Sequence, residues 1–282
     1  MIDLHLHTTA SDGTLSPAAL VARAAQSGLT IISVTDHDTT AGLAEARAAA
    51  TEQGLSFVDG IEITAVHAQR DVHILGYFLN PGVPSLQEFL RRQRADRVRR
   101  VQEMRDRLEA LGYRIDITPL LHAASAEEGR SVGRPQLADA LVGAGYASDR
   151  QDAFDRLLGR GRSAYVARSG PPPAEAISVI RGAGGLASLA HPALLGMDER
   201  IPDLAYSGLA ALEVTHSDHD AVAELHYRDL AARLGLAVTG GSDFHGDSGH
   251  RTPRLGVVTL PAGDFARLQL LARSAGSSAH VP

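Results

Sequence analysis

The chain has 282 residues, with 27 basic and 33 acidic side chains, a formal net charge of -6, 13 histidines and neither cysteine nor tryptophan. Without cysteine there can be no disulfide, thiolate zinc site, iron–sulfur cluster or cysteine nucleophile, so any metal must sit on His, Asp or Glu. The mild acidity argues against a generic nucleic-acid or membrane surface, and every basic residue is arginine.

At about 150 residues per domain the length allows two domains, or one α/β barrel of roughly 250 residues with an insertion. The opening MIDLHLHTTASDG lacks a basic start followed by an apolar stretch, and no apolar run reaches about 18 residues. We therefore expect a cytoplasmic protein with no membrane partner. Short β-branched runs alternate with alanine-rich helical patterns, the signature of βα units around a parallel sheet. Residues 2–6 read as a strand. Residues 17–26 read as a helix, with Ser16 as N-cap, Pro17 in the first turn and Gly28 beyond the end. A strand at 29–35, a helix at 40–53 closed by Gly54, a strand at 55–64 and another at 72–78 follow. From 85 to about 165 the periodicity is helical throughout, opening RRQRADRVRRVQEMRDRL, and we read a helical insertion. There Phe89, Leu90, Val98, Val101, Met104 and Leu108 form an apolar stripe while acids intersperse the arginines, which favours a solvated amphipathic helix over a polyanion-binding face. Pro171 to Pro173 lead back to the barrel. Helices at 173–181, 201–206, 222–234 and 263–272 then alternate with strands at 185–190, 209–215, 236–240 and a last one at 255–260.

The chemistry gathers at strand ends. His5 and His7, one residue apart, leave the same face of the first strand, and Asp12 follows in the loop. Thr35, Asp36, His37 and Asp38 follow the run LTIISV. Glu62 lies between Ile61 and Ile63, so its carboxylate points away from them into the barrel, where it requires counter-charge. His73 lies within VHILGY, where a core histidine is an equal reading. His191 ends GLASLAH, and Asp243 and His245 end AVTGGSDFH. These groups all fall at the C-terminal ends of predicted strands, where barrel enzymes place their sites. Imidazoles favour zinc, iron, manganese or nickel, and a carboxylate such as Glu62 can bridge two ions. Such ions would make hydroxide at neutral pH and neutralise a phosphate. There is no G-x-S-x-G, P-loop or dinucleotide-binding glycine pattern, because GAGG at 182–185 precedes a strand.

In this order HLHTTASDGTLSP, TDHDT, GIEI, HILGY, AHP and GSDFHG resemble the polymerase and histidinol phosphatase (PHP) family of metal-dependent phosphoesterases. The resemblance implies an α/β fold, a distorted (β/α)7 barrel formed by 1–84 and 166–282, with 85–165 as a substrate cap. It implies a trinuclear centre. His5, His7, Glu62 and Asp243 would hold one ion; Glu62, His73 and His191 a second; Asp12, His37 and His245 a third. An aspartate at position 12, where other members have histidine, makes the third position oxygen-rich and suits Mn2+, with Zn2+, Fe2+ or Mg2+ as alternatives. Asp36 would orient a ligand histidine or cap the following loop. The insertion with GRP resembles a subgroup that removes the 3′-phosphate of nucleoside 3′,5′-bisphosphates through a metal-bridging hydroxide. Where relatives show GRPH, this chain has Gly133, Arg134, Pro135 and Gln136.

His191, His216 and Asp243 are the expected catalytic set, and Arg134, His216 and His219 the substrate-binding set. Arg134 suits the second phosphate because a guanidinium near a helix N-terminus makes bidentate contacts. The expected partner is a small nucleotide, with no obligate protein partner. The competing readings are a 5′–3′ exoribonuclease on short RNA, if the arginine-rich helix lines a channel, a histidinol phosphatase, and an inactive polymerase-accessory module. His67, His122, His226 and His280 read as surface or structural residues, and His250 and Arg251 receive no role.

Overall fold

The computed structural model describes residues 1–125, 129–246 and 255–276. Its strands form one seven-stranded sheet in the order β1 to β7. The first is β1 (Ile2–Leu6), buried along its whole length. Both of its faces are buried, as in a helix-covered parallel barrel, so its alternation separates two interiors and not core from solvent. Ile2, Leu4 and Leu6 pack outward under helices, while Asp3, His5 and His7 line the barrel interior. Helix α1 (Pro17–Gln26) follows as expected, with Ser16 Oγ accepting from the Ala19 N–H at 3.3 Å. Then come β2 (Ile31–Val34), α2 (Leu43–Gln53) and β3 (Ser56–His67). The pairs β1–β2 and β2–β3 are parallel, as the βα pattern requires.

The next strand departs from the parallel pattern. β4 (Arg70–Tyr77) runs antiparallel to β3, joined by a two-residue turn at Ala68 and Gln69, whose φ values are 47° and 63°. Both central residues at positive φ define the turn that suits a tight hairpin, normally signalled by Asn-Gly or Gly-Gly. Ala-Gln carries no such signal, so the sequence reading gives two separate strands at 55–64 and 72–78 with no hairpin between them. In consequence Glu62 lies midway along β3 and His73 in the first half of β4, not at C-terminal strand ends. They face one mouth because the hairpin places Thr64 opposite His73 and Glu62 opposite Leu75.

Helix α3 (Pro84–Ala110) leaves the barrel and enters the helical segment. Leu86, Phe89 and Leu90 near its start belong to the barrel core, whereas Val101, Met104 and Leu108 belong to a second apolar cluster. Helices α4 (Thr118–Ala123), α5 (Arg134–Gly143) and α6 (Arg150–Ala153) complete this segment, with Leu137 and Leu141 in the second cluster. The barrel resumes with α7 (Pro173–Gly182) and β5 (Leu186–Leu189), which is antiparallel to β4. The remaining elements are α8 (Ile201–Tyr206), β6 (Ala211–His216), α9 (Ala221–Leu234), β7 (Ala237–Gly241) and α10 (Ala262–Ser274).

The sheet closes where Leu6 bridges Phe244 and the Asp243 N–H donates to the His5 carbonyl at 2.9 Å. A Cβ at Gly241 would strike the His5 backbone, so glycine lets β7 press against β1. This closure leaves no edge for the expected last strand at 255–260. Those residues form a turn, and Leu260 makes a single strand-like contact, its N–H donating to the Ile2 carbonyl at 2.9 Å. Among the described residues no helix is long and apolar enough to cross a membrane.

One buried ionic network joins the helical segment to the barrel. Asp38 Oδ2 accepts from Arg97 Nε at 2.6 Å and from Arg168 Nη2 at 2.7 Å, while Oδ1 accepts from the Thr64 N–H at 2.9 Å. Burial alone would raise the Asp38 carboxyl; the two guanidiniums outweigh it and hold the group at about 2. Removing one member of such a group leaves buried charge uncompensated. Asp38→Asn is expected to lower unfolding free energy by about 3–5 kcal/mol, measured by urea denaturation of the metal-free protein, and a loss below about 1 kcal/mol, the worth of an exposed pair, would show the network is solvated.

Candidate metal centre

The site is built around Glu62, a carboxylate 1% exposed inside the barrel. Ile61 and Ile63 on either side are fully buried under α7, and this anchors the strand so that Glu62 faces inward. Its Oε1 lies 2.9 Å from His73 Nδ1 and 3.5 Å from His191 Nε2. Its Oε2 lies 2.9 Å from His37 Nδ1, 3.3 Å from His7 Nε2 and 3.5 Å from His5 Nε2. Asp243 Oδ1 approaches His7 Nε2 at 3.1 Å and His5 Nε2 at 3.3 Å. On the far side of His7, Asp12 lies 3.2 Å from His245 Nε2 and 3.7 Å from His37 Nε2. The nine residues that the PHP resemblance implies as ligands therefore meet at one mouth.

These approaches are close yet badly aligned. Both Glu62 oxygens, Nε2 of His5 and His7, and Nδ1 of His37 and His73 are buried without a hydrogen-bond partner among the described residues. Buried polar atoms left this way cost about 1–3 kcal/mol each, which makes their concentration here informative. Nitrogen and oxygen lone pairs directed at shared points fit divalent cations better than they fit one another. Overlapping groups with ligand atoms within 4.8 Å comprise His5, His7 and Asp243; His37, Glu62 and His73; His7, Asp12, His37 and His245; and His5, Glu213 and His216. Their mixed imidazole and carboxylate character suits manganese, iron or zinc.

The electrostatics agree with that fit. Burial pushes the Glu62 carboxyl up, but His37, His73 and His5 more than reverse this and hold it well below its ordinary value. Burial pushes the His7 imidazole down, and the close Asp243 and Glu62 carboxylates overturn this, placing it at about 10. A cation entering here must therefore displace protons from imidazoles such as His7.

Surrounding residues orient the imidazoles. The acceptor-only Glu213 takes the His5 Nδ1–H at 2.9 Å and the His191 backbone N–H at 2.7 Å, so the His5 Nε2 lone pair faces the centre. His245 Nδ1–H donates to the Asp243 carbonyl at 2.9 Å, which likewise frees Nε2. Glu213 was not singled out in the sequence, where it reads as one charge within ALEVTH. A register shift between Glu213 and Thr215 in β6 lets both Glu213 and His216 reach the interior. Asp36 bears on a ligand histidine only through Ser11, whose Oγ lies 3.5 Å from His7 Nδ1. It accepts from Thr8 N–H at 2.8 Å, Thr8 Oγ1 at 2.6 Å and Ser11 Oγ at 2.6 Å, tying down the preceding loop that carries Asp12. His191 and Asp243 hold φ of 28° and 55°, rare for non-glycine residues and costing roughly 1 kcal/mol or more each.

His216 differs from the other histidines. The Asp218 backbone N–H donates to its Nδ1 at 3.0 Å, so in the neutral ring the hydrogen sits on Nε2, which is 3.6 Å from Asp243 Oδ2. His219 donates Nδ1–H to the Val214 carbonyl at 2.7 Å, and its ring packs between those of His216 and Tyr227.

Beside the centre, Asp71 lies two residues before His73, and burial, which raises its carboxyl, is outweighed by His73, Arg168, Arg134 and Arg100. Arg134 Nη2 reaches Asp71 Oδ2 at 3.5 Å, and its guanidinium lies over Phe154 and Tyr165. Arg100 is pushed down to about 10, first by burial and then by Arg134. Its Nη2 and Arg168 Nε are buried without a hydrogen-bond partner among the described residues. Positive charge thus exceeds negative charge at this rim, and only Arg134 stands out in the sequence reading. Gln136 Oε1 accepts from the Gly133 N–H at 2.8 Å. The Gln136 Nε2 donates to the Ser11 carbonyl beside Asp12, so the amide ties α5 to the metal loop. His250, Arg251 and His280 lie outside the described residues.

Comparison with known proteins agrees with this geometry. The PHP domain model matches residues 3–131. The chain is 34% identical to a 3′,5′-nucleoside bisphosphate phosphatase of Chromobacterium violaceum, covering 86% of this chain and 87% of that protein. It is 36% identical to a 5′-3′ exoribonuclease of Haemophilus influenzae, covering 86% and 89%. It also superposes on the crystal structure of a protein from Bifidobacterium adolescentis described as a metal-dependent phosphoesterase, with TM-score 0.87 at 34% identity and 95% coverage of both chains. A Glu62-centred cluster of imidazoles and carboxylates in a seven-stranded barrel, together with these likenesses, makes the chain a member of the PHP family of phosphoesterases.

Proposed function

We propose that the chain removes the 3′-phosphate from nucleoside 3′,5′-bisphosphates, such as adenosine 3′,5′-bisphosphate, giving the 5′-monophosphate and inorganic phosphate. The observation that carries this reading is the surplus of arginine charge around Asp71, two residues from His73. A substrate with one phosphate needs only the centre; a second phosphate matches Arg134, Arg100 and Arg168 beside it. In this reading His5, His7, Glu62 and Asp243 would hold one ion, Glu62, His73 and His191 a second, and Asp12, His37 and His245 a third, manganese suiting the donor set. When bound, such ions provide a water of low pKa as nucleophile and offset charge on the phosphoryl oxygens.

The protein's own groups bind and move protons around that event. The arginines grip the distal phosphate and set the scissile one against the Glu62 cluster. His216 presents Nε2–H toward Asp243, where it donates to a phosphoryl or leaving oxygen. His219, packed against His216, holds that ring in place and keeps its own Nε2, unpartnered among the described residues, for the substrate. The helical segment from 85 to 165 supplies the cap that carries Arg100 and Arg134.

The exoribonuclease reading needs an open arginine track along α3, and three of the arginines there are matched by acids. Arg91 pairs with Glu88, Arg99 with Asp96 and Glu103, and Arg105 with Asp106.

The manganese-loaded protein should release phosphate from adenosine 3′,5′-bisphosphate faster than from AMP, histidinol phosphate or short RNA; equal turnover of the four, or none, would refute the reading. Arg134→Ala should raise KM for the bisphosphate by about 10- to 100-fold, as expected for a lost charge-assisted contact, with a much smaller rise for a monophosphate. An unchanged ratio removes Arg134 from the substrate site. Elemental analysis should find less metal in Glu62→Ala and Asp243→Ala, and undiminished stoichiometry would overturn the ligand set. His216→Ala should keep its metal yet lose about 10²- to 10⁴-fold in kcat, the range for a proton donor; metal loss in this variant would make His216 a ligand.

A further inference from the structure

A cavity of about 570 Å3 lies where the cap meets the barrel rim, and no phosphate accounts for it. Its walls are Arg70 and Asp71 at the start of β4, the loop after His191 from Leu194 to Glu199, and Arg160 of the helical segment. Both barrel walls are continuous with the centre, for Asp71 is two residues from His73 and Leu194 three residues from His191. Asp71 is also the carboxylate on which Arg100, Arg134 and Arg168 act, so the anionic subsite forms one wall of the cavity.

The lining suits a flat, amphipathic ring system. Leu194 is 52% exposed and, with Leu195 and Met197, offers an apolar surface bounded by Arg70, Arg160 and Glu199. Arginines stack on planar rings, and Glu199 accepts from ring amino groups. The space falls within the range that takes a small organic ligand and exceeds what a phosphate fills. The loop that carries Leu194 is held by the positive φ of His191 and by the bond from its N–H to Glu213, so this wall and the centre keep a set relation. We propose that this cavity binds the nucleobase of the substrate, with the ribose spanning from the Asp71 rim to the centre. The assignment rests on the bisphosphatase reading and adds to it the requirement for a base.

The chain has no tryptophan, so Leu194→Trp introduces a single fluorophore into the wall. In chelator-treated protein, adenosine 3′,5′-bisphosphate and AMP should quench it saturably, whereas ribose 3,5-bisphosphate, which lacks a base, should not. Absence of quenching by the base-bearing ligands, or equal quenching by the base-free one, overturns the assignment. Leu194→Asp should raise KM for adenosine 3′,5′-bisphosphate about tenfold and leave KM for ribose 3,5-bisphosphate unchanged; an equal change for both, or none for either, also overturns it. Failure of the bisphosphatase reading shows separately, as absent turnover by the unmodified protein.

Discussion

The constraint on which this structure depends is the burial of the Glu62 carboxylate. A carboxylate taken out of water costs several kcal/mol unless positive charge surrounds it. Here five histidines approach it, delivered by β1, β2, β4 and β5 and the turns that follow them. The imidazoles are buried in turn and need negative charge, which Asp12, Asp243 and Glu213 provide. Several features of the fold serve this mutual requirement. The β3–β4 hairpin brings His73 onto the face of Glu62, and the irregular β6 turns His216 inward. Left-handed backbone at His191 and Asp243 aims two further groups at the cost of local strain.

The helical segment is fastened through residues adjacent to that cluster. Asp38 follows His37, Asp71 precedes His73 by two, and each faces arginines of the helical segment or of the loop leading out of it. Gln136 reaches the loop of Asp12. Displacing the cap would therefore disturb the site, and loss of site geometry would loosen the cap. Charge neutrality couples them, because Arg97, Arg168 and the carboxylate they share are all buried. On the open side, the same arginine-rich rim leaves charge for an anionic substrate and merges with a partly apolar cavity. In the proposed reading, metal and arginine grip phosphate while that cavity tests the rest of the molecule.

Local signals in the sequence predicted most of the elements. The alternation in IDLHLH, the Ser16 cap and the glycine stops express backbone preferences that need no tertiary contact, and the structure places β1 and α1 at those residues. The ligand-type residues were legible because metal chemistry admits few side chains, and in a cysteine-free chain His, Asp and Glu at strand ends stand out. Glu213, Arg100 and Arg168 were not, since a lone acid in a strand, an arginine in a charged helix and one in a loop look like ordinary surface residues until packing buries them. The Ala-Gln turn was equally hidden, because the pairing of β3 with β4 imposes its conformation, not the intrinsic preference of those two residues.

By itself the sequence determined the inventory: nitrogen and oxygen ligands, arginine as the sole cationic side chain beside histidine, and a βα chain interrupted by helices. Only the tertiary structure decided which strand reverses, where the barrel closes without an eighth strand, which histidine presents a hydrogen instead of a lone pair, and which arginines face the centre. The physical reason is that these depend on partners far apart in the chain. A tautomer is set by the group across from it, and a buried charge is tolerable only beside the opposite charge that the fold brings to it.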